Sequence, residues 1–240
     1  MASFLQLCQK VASESGTVNG TFPSTVVGQT LRLGKIVRWT NDAWRQIQNA
    51  SATWRWMQSE FSGPTVAGTQ RYAYNAAGFV DSIAAAAISR HAAWLYSDRG
   101  CDSGISLYDP AIGVSDEGPL HFEDWDDFYK KRLRGTQNTG KPSVFTIAPD
   151  NKLVFSYTPD AVYTVRGRYR KDVQELTADA DVPECPARFH DVIVDVALMM
   201  LGTHDEAPAQ IPLWQMRRSF NFCNLERDQL PRMTLAGPLA

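Results

Sequence analysis

The chain lacks a CxxC pair: its four cysteines, Cys8, Cys101, Cys185 and Cys223, stand far apart in sequence. That spacing excludes a zinc ribbon and a dense disulfide framework, and leaves reduced thiols in a cytosolic setting as the expectation. No run approaches the ~18 consecutive apolar residues that argue for a membrane-spanning helix. The opening stretch "MASFLQLCQKVASESG" has neither a basic start nor a long apolar core, so a signal peptide is not expected. A large excess of either charge is missing too. With 24 basic against 26 acidic residues the net charge is -2, which gives no general attraction to nucleic acid or to acidic membranes.

What is present is a foldable composition. At 240 residues, 44% hydrophobic and 11% aromatic, the chain can bury a substantial core. Ser3 is placed to cap a first helix whose apolar face is Phe4, Cys8 and Val11, with Gly16 as its stop. The stretch "GTVNGTFPSTVVGQT" reads as a loop. A second helix carries Leu33, Ile36, Val37, Thr40, Trp44 and Ile47 on one stripe. "GPTVAGTQRYAY" reads as a hairpin, residues 88–97 as a strand, and "FEDWDDFYKKRLRG" as a short helix, acidic at its start and basic at its end as the helix dipole favours. Three β-rich runs in "SVFTIAPDNKLVFSYTPDAVYTVRGRYRK" are separated by turn residues and predict an antiparallel meander. Pro183 and Pro186 precede a third helix with Phe189, Ile193, Ala197 and Met200 inward and Gly202 at its end. A fourth follows Pro212, with Leu213, Met216, Phe220 and Cys223 as its expected inward stripe.

The order is helices, strands, helices, which predicts an α+β fold. N- and C-terminal helices (1–59 and 176–228) would form a bundle, with an antiparallel β-rich insertion at 60–175. From 229 to 240 the segment is rich in proline and glycine, cannot comfortably continue a helix, and reads as an extended arm.

Catalytic signatures are weak throughout. "GQTLRLGK" departs from a phosphate loop: five residues separate Gly28 from Gly34, and Ile36 stands where a magnesium-binding Ser or Thr is required. "FHDVIVD" and "THDEA" bring His190, Asp191, Asp195, His204 and Asp205 near one helix, in the manner of a metal-dependent phosphohydrolase. Asp191 and Asp195 share a helical face, but His204 is about 20 Å from His190 along a straight helix, so the two pairs cannot grip one ion. The bland reading is a polar helix face. Glu123, Asp124, Asp126 and Asp127 lack the spaced ligands and glycine of a calcium loop. Trp39, Trp44, Trp54 and Trp56 could stack bases, but with little basic charge around them they are expected in a core or interface. GxSxG is absent. No cofactor cradle, metal set or catalytic residue is expected.

Several phrases do resemble a known family: "IVRWTNDAWRQIQNASATWRWMQSEF", "KPSVFTIAPDNKLVFSYTPDAVYTVRGRYRK", "CPARFHDVIVDVALMMLG" and the close "NLERDQLPRMTLAGPLA". In order and length they are similar to the head–tail adaptor (head-completion, or connector) proteins of tailed bacteriophages. The resemblance implies a non-enzymatic virion protein of the neck, assembled as a ring, commonly dodecameric, below the portal protein. Such a ring extends the DNA channel without binding DNA specifically, and tail or nozzle proteins dock on it. It also implies that the C-terminal segment binds the portal, through Leu230, Pro231, Met233, Leu235, Pro238 and Leu239. The readings set against it are the phosphohydrolase of His190, Asp191 and Asp195, and a tail terminator or stopper ring. Near-neutral charge suits a channel through which phosphates must slide, and abundant aromatics suit large subunit contacts.

Overall fold

The computed structural model describes residues 1–16, 22–98, 102–205 and 209–231. It is an α+β protein. Among the described residues there are five helices: α1 (Phe4–Ser15), α2 (Leu31–Asn49), α3 (Trp125–Arg132), α4 (His190–His204) and α5 (Ile211–Gln229). None of the described helices is long and apolar enough to cross a membrane. The chain divides into two compact units: residues 1–57 with those from 173 onward, and Gln58–Asp172.

In the helical unit, local signals and burial agree over α1 and α2. Ser3 accepts from the Gln6 amide while Gln6 reaches back to the Ser3 amide, a reciprocal capping box, and Gly16 ends the helix with φ of 63°. α1 buries Phe4, Leu7, Cys8, Val11 and Ala12; α2 buries Ile36, Thr40, Ala43, Trp44 and Ile47. α4 packs against α1, α2 and α5 and is buried nearly all round, with Val192, Ile193, Val194, Val196, Ala197, Leu198 and Leu201 in one core. A short 3-10 turn, Ala187–Phe189, leads into it. Gly202 does not stop α4, which runs on to His204. Its lack of a side chain serves packing instead, since a Cβ there would lie 2.7 Å from the Trp214 ring.

The β unit holds eleven short strands: β1 (Gln58–Pro64), β2 (Arg71–Tyr72), β3 (Val80–Asp81), β4 (Ala86–Ala87), β5 (Ala93–Leu95), β6 (Ser106–Tyr108), β7 (Gly118–Pro119), β8 (His121–Phe122), β9 (Val144–Ile147), β10 (Leu153–Phe155) and β11 (Thr164–Arg170). One sheet runs β4-β3-β1-β11-β6-β7, with β5 sharing the β11 edge; the other runs β2-β10-β9-β8. β1 and β11 pair antiparallel along their full length, Gln58 opposite Arg170 and Pro64 opposite Thr164. They join the two ends of this unit's chain. Phe61 lies opposite Gly167 and covers it, so that a Cβ on Gly167 would be 2.8 Å from the Phe61 ring. The missing side chain makes room for the aromatic.

Three local expectations fail here. β1 and β2 do not form a hairpin, because they belong to different sheets. The meander is cut: β9 and β10 pair as expected, but β11 leaves them for β1. Strand at 88–97 shrinks to Ala93–Leu95. In addition, the β8–β9 pair is parallel. The physical cause is common to all. A short β-rich run specifies that it must pair, not with whom, and closure by distant partners decides the sheet.

Candidate interaction surface

Each residue that could have formed a metal site is held by a different partner within the helical unit. The Ala2 amide donates to His190 Nδ1 at 3.3 Å, and Nε2 of the same ring lies 3.2 Å from the Cys185 carbonyl oxygen. Both nitrogens are thereby engaged, and burial pushes the imidazole pKa down. Asp191 turns outward to Lys10 at 2.7 Å. Asp195 is fully buried; Asn221 on α5 donates to its Oδ2 at 2.6 Å. Arg217 Nη2 lies 3.0 Å from Oδ1, an ion-pair contact without hydrogen-bond alignment. Arg217 also reaches Glu14 on α1 at 2.7 Å. Burial pushes the Asp195 carboxyl up, while its partners oppose the shift. This cluster ties α1, α4 and α5 together. Asp205, at the end of α4, is gripped by Arg32, whose guanidinium holds the carboxyl down at about 2. Among the described residues, no three His, Cys, Asp or Glu side chains gather as a metal set.

The other candidates also meet structural demands. Asp124 caps α3 by accepting from the Asp126 amide at 3.1 Å; Glu123 pairs with Arg132 at 2.6 Å and Lys131 at 3.2 Å, and Asp127 with Lys131 at 3.1 Å. Trp44 and Trp54 are fully buried. Trp54 stacks on Trp56 at 4.5 Å and donates its indole N–H to the Ile47 carbonyl at 2.9 Å. Trp39 and Trp56 are partly buried against the same core. Burial pushes the Cys8 and Cys185 thiols up to about 12, which removes them as nucleophiles near neutral pH.

The largest departure from expectation is on α5. Leu213, Met216 and Phe220 are 50%, 66% and 69% exposed, and Cys223 is exposed with them. The inward side is carried by Trp214 and Leu225, with Phe222 partly buried beside them. α5 thus has two apolar stripes on nearly opposite sides, and spacing alone could not say which one faces α4. The signal that decides it is Trp214 against Gly202: the largest side chain seats on the only glycine of α4. A helix apolar on both sides is what a helix covered on both sides requires.

At its end, α5 takes in Gln229, and the Leu230 amide donates to the Glu226 carbonyl at 2.9 Å. Leu230 packs on the helical core, and Pro231 is exposed. The first two residues of the expected arm therefore belong to the helical unit. Met233, Leu235, Pro238 and Leu239 lie outside the described residues, as does Cys101.

Among the described residues, the candidate ligands His190, Asp191, Asp195 and Asp205 each meet a structural contact, and the last helix exposes an apolar stripe. Comparison with known proteins agrees: the family of SU10 adaptor proteins matches residues 2–222. The chain belongs to that family. Its membership bears out the resemblance to phage head–tail adaptors. Both units lie within the match, as do Leu213, Met216 and Phe220, whereas all six residues expected to bind the portal follow residue 222. No curated protein matches the chain.

Proposed function

We propose that this adaptor forms a ring, dodecameric by the family resemblance, beneath the portal of a tailed phage. There it extends the DNA channel and gives tail or nozzle proteins their docking surface, as a component of the virion neck. The observation that carries this reading is the family match across residues 2–222. Two physical features support it. The chain's net charge of -2 offers passing DNA no basic wall on which counterion release would hold it. His190, Asp191 and Asp195 each serve a separate structural contact, so nothing in their arrangement favours the hydrolase.

The portal contact falls to the segment from Leu230 onward. Leu230 anchors its root in the helical core, and Pro231, Met233, Leu235, Pro238 and Leu239 follow. The nine residues after Pro231, if extended, span about 30 Å at ~3.3 Å each, enough to leave their own subunit. Pro238 restricts the unbound ensemble and lowers the ordering cost of binding. Anchors worth about 1.5–3 kcal/mol each when buried become firm when repeated around a ring. The free protein would then be a monomer or small oligomer, and close into a ring on the portal.

Truncation after Pro231 tests the segment without disturbing α5. The truncated chain should melt with the full chain and fail to bind portal in sedimentation, leaving filled heads without tails. Normal portal binding by the truncated chain would remove the docking role from this segment.

A further inference from the structure

The outer face of α5 is unusual in what surrounds its apolar side chains. From Pro212 to Cys223 the exposed positions are Pro212, Leu213, Gln215, Met216, Ser219, Phe220 and Cys223, none of them charged. Arg217 and Arg218 are drawn to the flank that faces the core, where Arg217 meets Glu14 and Asp195. Arg227, one turn beyond Cys223 on the same stripe, is the next exposed charge; the stretch 212–223 itself offers no charge to DNA or to a strongly charged protein surface. It calls for a partner patch equally free of charge.

The same unit carries a second such patch. The segment leading into α2, from Phe22 to Leu31, contains no charged residue. It exposes Phe22, Val27 and Leu31 at 49%, 66% and 89%. Leu31 is also one of three described residues other than glycine with positive φ, at 51°. A leucine costs energy in that region of backbone space, and one so exposed has little contact within its own subunit to offset it. Such a placement makes sense when the side chain is covered from outside.

We infer that the outer face of α5 seats a second copy of this chain, which contributes its Phe22–Leu31 segment to the contact. Two different patches on one subunit form a heterologous, head-to-tail interface. Repeated, that contact generates a closed ring when its rotation closes and a filament when it does not. Each copy then buries both patches, one against each neighbour, and neither remains in water. Leu213, Met216 and Phe220 form the apolar centre of the interface, with the polar positions Gln215 and Ser219 towards its rim. The inference rests on the ring reading above and assigns it a surface.

The test uses the full chain, alone and mixed with portal, read by sedimentation velocity and negative-stain microscopy. Three proteins are compared: the native sequence, a Met216→Asp/Phe220→Asp variant, and a Val27→Asp variant. All the altered side chains are exposed, so each variant should melt with the native protein; Phe220→Ser carries the same reading if the double variant misfolds. The native chain should assemble on the portal, and each variant should self-associate at least about tenfold more weakly, as loss of central apolar anchors does. Mixing the two variants should restore one interface and yield dimers, but no rings. Variants that close rings as the native chain does would overturn the surface and leave the ring reading standing. A native chain that forms no ring even on portal would overturn the ring reading, and this inference with it. Two further results would each assign the face to another occupant and contradict the inference. One is rings that form normally from the double variant yet no longer take tail proteins. The other is a chain truncated after Pro231 that aggregates through the α5 face.

Discussion

The helical unit and the β unit bury their cores by different logics. In the helical unit a residue's neighbours are three and four positions away, and burial follows a period that a single stretch of sequence displays: Ile36, Thr40, Ala43, Trp44 and Ile47 on α2 are spaced as one helical face and are buried together. In the β unit the decisive contact is β1 with β11, two runs from opposite ends of that unit's chain. Tyr72, Phe79, Trp94, Phe155 and Phe61 meet in one aromatic core although they come from five separate segments. The difference teaches that a period can be read locally and a partner cannot.

The largest effects should come from the two cores. Trp44→Ala in the helical unit and Phe61→Ala in the β unit each remove a fully buried ring and should cost about 3–5 kcal/mol. Hydrogen exchange read segment by segment should show protection lost mainly in α2 and α4 for the first, and in β1 and β11 for the second. Equal loss throughout the chain for either change would break the contrast.

Next in size is the acid response of the β unit, which turns on His91. Its ring stacks parallel on Tyr74 at 4.8 Å and lies 4.4 Å from Trp94, with neither nitrogen hydrogen-bonded. Burial pushes its pKa down from 6.5 to about 4, opposed by its own backbone and then by Asp172. Between those values the unfolded chain binds a proton that the native state refuses, so stability falls as pH falls from 6.5 towards 4, by at most about 3 kcal/mol and less once solvent screens the partly exposed ring. His91→Phe should flatten that slope in urea unfolding at a series of pH values. An unchanged slope would move the acid response elsewhere.

Smaller again is the polar network of the helical unit. Asp195→Asn weakens a buried contact to Arg217 and should cost about 1–3 kcal/mol. Asp191→Asn loses only the half-exposed pair with Lys10 and should cost less than about 1 kcal/mol. Thermal melts would separate the two. Zinc, manganese or iron bound stoichiometrically, and lost in both variants together with a phosphatase activity, would reverse the structural reading of these residues. The smallest effect belongs to the α5 outer face, where Phe220→Ser should leave the free chain's stability within about 0.5 kcal/mol. A larger loss would mean that Phe220 packs within its own subunit.

How much of this was legible follows the same division. Ser3, Gly16 and the stripe of α2 announced their helices, and the acid-to-base order of "FEDWDDFYKKRLRG" announced α3, because caps and dipoles act within a turn or two of their residues. The sheets were legible only as β-rich runs. Nothing in "YTVRGRYR" says that it lies between β1 and β6 instead of beside β10. α5 shows where periodicity itself is ambiguous. Leu213, Met216, Phe220 and Cys223 are spaced like a buried face, and only the fit of Trp214 to Gly202 reveals that the buried side is the other one. The adaptor family was legible from whole phrases, not from any catalytic constellation. The outward side of α5 was not, since an exposed apolar stripe and a buried one are written alike.

We propose that the chain is a ring-forming adaptor on the portal. Electron microscopy of the full-length protein mixed with purified portal tests it directly. We expect a closed ring of this chain seated coaxially on one face of the portal, with an open channel through both. Portal particles that remain bare at saturating protein, or that carry single copies without ring closure, would contradict it.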